Sequence, residues 1–598
     1  MPERMMPPRA RVGPFLSGCS MKPRWLFRKP DPSAVRRLAG ALSCHPAVAA
    51  ALVNRRLDDP DRARAFLSPS LSELPLPCSM ADMDAAVLRL AVAVETGEGI
   101  LVFGDYDADG VSATALYTEF LEECGARVAF HIPHRAEEGY GLKESHVTEL
   151  AVRLGARVIL TADCGVSSHE AGAAAAAKGL SLVVTDHHEP PETLPRAEAV
   201  VNPKRTDCPS GLGYLAGVGV AFFVCAHLRA ALRDRGWFAK RPEPNLLEKC
   251  DLVALGTIAD LVPLVGANRV LVRAGLDHMA ARPRPGIAAL MEVAGVIPAH
   301  VTERDVAFSL APRINAAGRL AHAEICVELL RTTHPGAART RALELEELNT
   351  RRREIESHLF DQALELATSP WGRDFSHSLV LTGDGWHQGV AGIAASRMAS
   401  RFHRPVAILC AGRDGKIRGS ARSVPGVDLV ELLRANADLL VAYGGHAMAA
   451  GLEVAPESVQ EFARRFEKTA AEAVRGRDLT PRLHIDWPLA LNEVGPELAD
   501  EIETLGPFGE GNPEPLFAGQ DVALSRQRVV GRGARTMTLA QNGVQTANAL
   551  SAIWFSPDGE DDLPPLLPRV CFKVCWNRFH RQKTLQLQVA GVDLETVS

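Results

Sequence analysis

Between residues 97 and 265 short apolar runs alternate with stretches of helical periodicity. The runs "GILVFGD", "RVAFHIP", "ARVILTAD" and "LSLVVTDHH" read as buried strands, and "AEAVVNP" as a weaker fifth. Between them lie amphipathic or alanine-rich segments such as "VSATALYTEFLEECG" and "SSHEAGAAAAAKGL". Strands that are apolar throughout, joined by helical crossovers, predict an α/β fold with a parallel, doubly wound sheet. Ligands of such sheets sit beyond the carboxyl ends of the strands.

From Ala337 to Ala367 the pattern changes to one long helix, with Leu345, Leu348, Ile355, Leu359 and Leu366 at helical steps and arginine and glutamate elsewhere. It reads as a rigid bridge between domains, with a coiled-coil partner as the alternative. A second α/β unit starts at "SLVLTGDGWHQGVAGIAASRMASRF" and runs to about residue 475. From about residue 482 helical rhythm gives way to hairpin material such as "PLFAGQDVALSRQRVVG" and "PRVCFKVCWNRFHRQKTLQLQVAGVDL", which predicts a small β-barrel.

A chain of 598 residues is too long for one core, so three or four domains are expected. Its net charge of −6 gives no global case for nucleic-acid binding, and any basic surface must be local. The 12 cysteines form no CxxC pair and read as reduced thiols of a cytoplasmic protein. No apolar run is long enough to span a membrane. Residues 1–20 read as a disordered extension, with Met21 as an alternative start.

The chemistry gathers at strand ends. "GILVFGD" leads into Asp105, Asp107 and Asp109; "ARVILTAD" delivers Asp163; "LSLVVTDHH" delivers Asp186, His187 and His188. Farther on, "CDLVALGTIADLVPL" places Asp260 in an otherwise apolar helical run. Singly these have ordinary explanations: an aspartate after a strand is usually a helix cap or turn residue. Together, carboxylates gathered at adjacent strand ends repel unless cations neutralise them. Oxygen ligands with an imidazole suit Mn²⁺ or Mg²⁺, and such a set holds two ions about 3.5–4 Å apart for in-line displacement at phosphorus.

In order and context, "DYDADG", "ADCG", "DHH" and "GTIADLVPL" resemble motifs I to IV of the DHH phosphoesterases, most closely the RecJ branch. "YGGHAMAAG" is similar to the signature of the DHH-associated domain, and "APRINAAGRL", "WHQGVAGIAASR", "IRGSARS" and "LGPFGEGNPEPLF" also resemble RecJ. The resemblance covers about residues 70–598 and implies these boundaries: 21–96 an N-terminal helical segment, 97–335 a DHH catalytic domain with a helical part, 336–367 a connecting helix, 368–478 a DHH-associated domain, and 479–598 an OB-fold barrel. It implies a single-strand-specific 5′→3′ DNA exonuclease of repair and recombination, accompanied by a helicase and a single-strand-binding protein.

By the same resemblance Asp105, Asp107, Asp163, His187 and Asp260 are metal ligands, with Asp163 bridging two ions. Asp109 is a ligand or a supporting group, Asp186 joins the catalytic set, and His188 holds the substrate phosphate or orients a ligand. Arg313, Asn315, Arg319, Arg418, Ser420, Arg422 and His446 are the expected phosphate-binding groups, holding a free 5′ end. In the barrel Trp576 and Phe579 interleave with Arg578, Arg581 and Lys583, a mixture suited to stacking on a single strand. The rival readings are a DHH phosphodiesterase for short oligonucleotides or cyclic dinucleotides, and a non-catalytic DNA-binding scaffold. The barrel argues against the first, and the filled ligand positions against the second.

Overall fold

The structure, a computed structural model, describes residues 23–135, 137–412, 414–531, 534–543, 549–555, 562–578 and 583–594. The expected N-terminal extension, together with Met21, lies outside them. The chain divides into two compact units, one built around Thr350–His484 and the other comprising Phe27–Asn349 with most of the chain from Ile485 onward.

In the second of these units the strands are β1 (Gly99–Gly104), β2 (Arg127–His131), β3 (Ala156–Ala162), β4 (Ser181–Thr185) and β5 (Ala199–Val201). They form a sheet of order β2-β1-β3-β4-β5, parallel throughout, so the doubly wound reading holds. Every residue of β1 is buried, as a parallel strand covered on both faces requires. Chain direction switches beside β1, and there the carboxyl ends of β1, β3 and β4 lie side by side. The next residue after each strand is an aspartate: Asp105, Asp163 and Asp186. Their main-chain N–H groups donate to Ala162, Thr185 and Val201 respectively, which carries the ladder one residue into the loops.

Helices α1 (Ala108–Glu123), α2 (Gly217–Asp234), α3 (Cys250–Ala259) and α4 (Gly266–Ala281) belong to the same core. Asp260, expected inside a helix, instead caps the end of α3, because Leu261 turns left-handed at φ 58° and Pro263 follows. Its carboxylate therefore leaves the helix end rather than an apolar face. The segment expected to be helical before residue 96 opens with a strand, Arg24–Phe27, and is helical from Pro32.

The barrel is closed. Its strands Phe517–Val530, Ala534–Gln541, Leu550–Trp554, Thr584–Asp593 and Leu566–Asn577 follow one another in space, and the last pairs back to the first. Its core is shared with the helices Pro32–Leu42 and Pro46–Asn54. Arg269 of α4 joins these parts: its buried guanidinium donates to the carbonyls of Phe66 at 2.9 Å and Leu505 at 3.0 Å. Burial, helped by the charges of Arg273 and Arg55 and only partly opposed by Glu303, lowers its pKa to about 9.

The long helix, α5, spans Pro335–Thr368, close to the helix expected over 337–367. Ala338, Ala342 and Leu345 pack into the core of the parallel sheet, while Leu359, Ala363 and Ala367 pack into the core of the other unit. That unit holds a five-stranded sheet of order Leu440–Gly445, Ala449–Val454, Ile417–Arg422, Val406–Ala411, Leu379–Gly383. Only its last pair is parallel. No helix among the described residues is long and apolar enough to cross a membrane.

The close approach of α3 and α4 depends on Gly275, where a Cβ would lie 2.1 Å from the Cys250 carbonyl oxygen. Gly275→Ala is expected to cost about 1–3 kcal/mol through overpacking, measured as a lowered midpoint in denaturant unfolding.

Candidate metal centre

Three of the acidic groups, Asp107, Asp109 and Asp186, are held by main-chain donors. Asp107 caps α1, its Oδ1 accepting the N–H groups of Asp109 and Gly110 at 3.0 Å. The cap is thus Asp107, and Asp109 sits in the first turn. Asp109 in turn accepts from the first residues of α2, Gly217 at 2.7 Å and Val218 at 3.0 Å. Asp186 takes the N–H groups of Val166, His187 and His188 and the His188 ring at 2.7 Å. These bonds engage both its oxygens, so it orients the His-His pair rather than facing the cluster.

The remaining atoms converge. Oxygens of Asp105, Asp107 and Asp163 lie within 4.8 Å of one another; so do ligand atoms of Asp109, His187 and Asp260, and those of Asp163, His187 and His188. Asp163 adopts φ 64°, a left-handed conformation found at functional turns. Glycines admit this crowding: a Cβ on Gly217 would meet Asp163 Oδ1 at 2.4 Å, and one on Gly256 would meet Asp109 Oδ1 at 2.5 Å.

His187 reveals what the cluster is built for. Its Nδ1 faces the Leu215 carbonyl at 3.0 Å and must carry the ring proton. Burial, helped by the charge on His188, lowers its pKa to about 3, so the ring is neutral. Its bare Nε2 then faces Asp163 Oδ1 at 3.1 Å and Asp260 Oδ2 at 3.4 Å, lone pair against lone pair. Among the described residues, Asp105 Oδ1, Asp163 Oδ1 and His187 Nε2 are buried without a hydrogen-bond donor or acceptor to satisfy them. Burial first, and then neighbouring carboxylates, raise the pKa of Asp105 and Asp163 well above the usual range, that of Asp109 to about 7 and that of Asp260 to about 9. Such a donor set fits divalent cations of the Mn²⁺ or Mg²⁺ class. Burial opposes the charge on His188, yet the hydrogen bond and charge of Asp186 lift its pKa to about 9, leaving it an imidazolium.

Of the expected phosphate groups, the structure brings Asn315 and Arg319 to this region. Asn315 Oδ1 accepts the Ala108 N–H at 2.9 Å, so it steadies the start of α1. Arg319 acts electrostatically on Tyr106, beside the cluster. Arg313 is buried against Glu346 at 2.5 Å instead of facing the carboxylates. In the other unit Arg418, Ser420 and Arg422 alternate along one strand. Arg418 is neutralised by Glu453 at 3.1 Å and Asp414 at 2.7 Å. Arg422 Nη1 reaches Ser420 Oγ at 3.3 Å, and His446 occupies the exposed turn before Ala449–Val454.

In the barrel Trp576 donates to Asp500 at 2.9 Å and Arg578 pairs with Glu503 at 2.6 Å. Both line a cleft of about 1200 Å³ that also takes in Leu261, Phe308 and Phe555. Phe579 and Arg581 lie outside the described residues. The sequence reading missed Tyr140, whose hydroxyl lies 3.4 Å from His188 Nδ1, Arg135, stacked 5.0 Å over Tyr106, and Asn202, which donates to the His188 carbonyl at 2.8 Å. The signal available for Tyr140 was its place between two glycines in "EGYGL".

Comparison with known proteins agrees with this architecture. The DHH family N-terminal domain matches residues 99–257, the DHHA1 domain residues 376–472 and the RecJ OB domain residues 485–591. The single-stranded-DNA-specific exonuclease RecJ of Salmonella typhimurium is 39% identical over 531 residues, covering 86% of this chain and 90% of that protein. Crystal structures of Thermus thermophilus RecJ are also similar. The complex with Mn²⁺ has a TM-score of 0.80 at 32% identity, over 96% of this chain and 80% of that one. The complex with Mg²⁺ has a TM-score of 0.74 at 30% identity, over 96% and 79%.

The raised carboxyl pKa values carry a consequence for the chelated protein. A folded state that binds protons more tightly than the unfolded chain is favoured at low pH and loses that advantage as pH rises through the folded pKa. Between the ordinary aspartate value of 3.8 and about 9 for Asp260, chelated protein is expected to lose thermal stability steadily. Asp163→Asn is expected to flatten that slope and raise the melting temperature at neutral pH by about a few degrees, because it removes a carboxyl whose ionisation the fold penalises. Thermal scans across pH in chelator provide the check.

Proposed function

The chain belongs to the RecJ family, and on that premise we propose that it is a metal-dependent exonuclease that degrades single-stranded DNA from the 5′ end and releases 5′-mononucleotides. The observation that carries this reading is the bare His187 Nε2 facing Asp163 and Asp260 across a buried gap. Asp105, Asp107, Asp163, His187 and Asp260 would hold two divalent cations, with Asp163, common to two of the ligand sets, as the bridge. Bound there, the cations supply an activated water and screen the phosphoryl oxygens.

The rest is the work of the chain. Asp186 holds His188 as an imidazolium, which can donate to a non-bridging phosphate oxygen. Asp109, anchored by the start of α2, keeps Asp260 and His187 at their distance. Asn315 fixes the first turn of α1, on which Asp107 depends. The cleft lined by Leu261, next to Asp260, and by Trp576 of the barrel supports a path for the single strand beyond the reacting phosphate. Arg422, beside Ser420, is assigned to the 5′ end. A nuclease confined to single strands needs unwound and protected substrate, so a helicase and a single-strand-binding protein are its expected partners. The cysteines described are all free thiols, in keeping with a cytoplasmic setting.

Incubation of 5′-labelled single-stranded DNA with Mn²⁺ is expected to release labelled mononucleotide, and chelator to stop it. Absence of any chelator-sensitive release would favour the scaffold reading. Asp163→Ala is expected to reduce the rate by about 10³-fold or more while oligonucleotide binding persists; a rate near wild type would remove the bridging assignment. Arg422→Ala is expected to weaken discrimination between substrates with free and blocked 5′ ends, measured as the ratio of kcat/KM.

A further inference from the structure

The loop from Ile132 to His146 reaches the metal centre without contributing to it. Tyr140, half exposed, sets its ring edge-on to His188 at 5.9 Å and to Tyr106 at 6.5 Å. On either side of it Gly139 and Gly141 both adopt φ 79°, so the backbone alone gives Tyr140 little definition. The anchor is the residue just before them. Glu138 Oε1 accepts the His134 N–H at 2.7 Å, and Oε2 accepts from two imidazoles, His131 Nε2 at 2.9 Å and His146 Nε2 at 2.8 Å. Both rings are held in turn against Phe103 of β1, at 5.6 and 4.8 Å.

Two histidines and a glutamate within 4.8 Å of one another also have the composition of a metal site. The tautomer decides against that. His146 Nδ1 accepts the Lys143 N–H at 3.0 Å, so the ring proton sits on Nε2 and points at Glu138. His187 is the opposite case, with its proton spent on Leu215 and Nε2 bare. Burial works against the Glu138 charge, but the His134 N–H and His131 prevail and its pKa falls to about 2.

Resting on the exonuclease reading, we propose that Glu138 is a positioning residue for substrate: by gathering His131, His146 and the His134 N–H on one carboxylate it sets the loop so that Tyr140 stands beside His188. Tyr140 is then placed to stack on the base next to the reacting phosphate, and Glu138 acts on the substrate only through it.

The test is binding of a short 5′-phosphorylated single strand to the Asp163→Ala protein in Mn²⁺, followed by fluorescence anisotropy. Glu138→Gln, which turns an amide N–H₂ toward donors, is expected to weaken binding about tenfold. Tyr140→Ala is expected to do the same, and the double variant no more than either, the non-additivity of residues acting as one unit. With Asp163 restored, Glu138→Gln is expected to raise KM while kcat stays within about twofold. Losses that multiply in the double variant, or unchanged affinity in Glu138→Gln, would overturn the proposal. So would a Zn²⁺ ion held by Asp163→Ala and lost on adding Glu138→Gln. Should Glu138→Gln fail to fold, His131→Leu removes one donor and is read in the same cycle with Tyr140→Ala. A parent protein that binds no single strand at all would instead sink the exonuclease reading, leaving a different signature.

Discussion

Lone pairs of His187, Asp163 and Asp260 point at one another across little more than 3 Å of buried space, and the surrounding structure exists to hold them there. Left alone, such an arrangement would relax by moving apart or by taking up protons. It cannot move apart because the contributing loops are tied down by main-chain donors: Asp107 by the first turn of α1, Asp109 by the first turn of α2, Asp186 by the N–H groups of Val166, His187 and His188. Helix starts and strand ends thus provide positive ends for carboxylates at fixed points. The atoms they leave bare are the ones that face inward.

That arrangement costs folding free energy, and the cost is offset away from the site. A continuous apolar core runs from Met80 through the sheet to Leu345, with Tyr117, Phe120 and Phe223 nearly or fully buried within it. Helix pairs close to backbone contact at glycine, so α2 and α3 can carry Gly217 and Gly256 right against Asp163 and Asp109. A methyl group at either position would push the cluster open. Two histidine arrangements near the strand ends are told apart by their tautomers. In both, a main-chain group on Nδ1 sets the tautomer: a carbonyl for His187, an N–H for His146. One ring is left with a lone pair for a cation, the other with a proton for Glu138.

The arginines show how far residue type alone can mislead. Arg313, Arg418 and Arg422 all lie in motifs that read as phosphate-binding, yet Arg313 is buried on Glu346 and Arg418 is shared between Glu453 and Asp414. Asp414 lies only four residues before Arg418, but Glu346 comes from α5 and Glu453 from a neighbouring strand, and neither can be inferred from the arginine's own neighbours in sequence. The barrel repeats the lesson, since Trp576 and Arg578 are engaged by Asp500 and Glu503 of a helix more than seventy residues earlier.

The parallel sheet with its helical crossovers, the long helix and the barrel were readable from the chain because hydrophobic periodicity is a local property and a short apolar run bounded by turn residues has few folded uses; the order of the strands was not. The positions of Asp105, Asp163 and Asp186 were readable for the same reason: each is the next residue after a strand, and parallel strands end together. Tertiary structure alone decided that Asp260 caps a helix instead of riding on it, that Asp186 is consumed by hydrogen bonds while Asp163 is not, and that Tyr140 reaches His188. Those outcomes turn on which lone pair or proton faces which neighbour, a matter of a few ångströms between segments tens of residues apart, and periodicity carries no information about it.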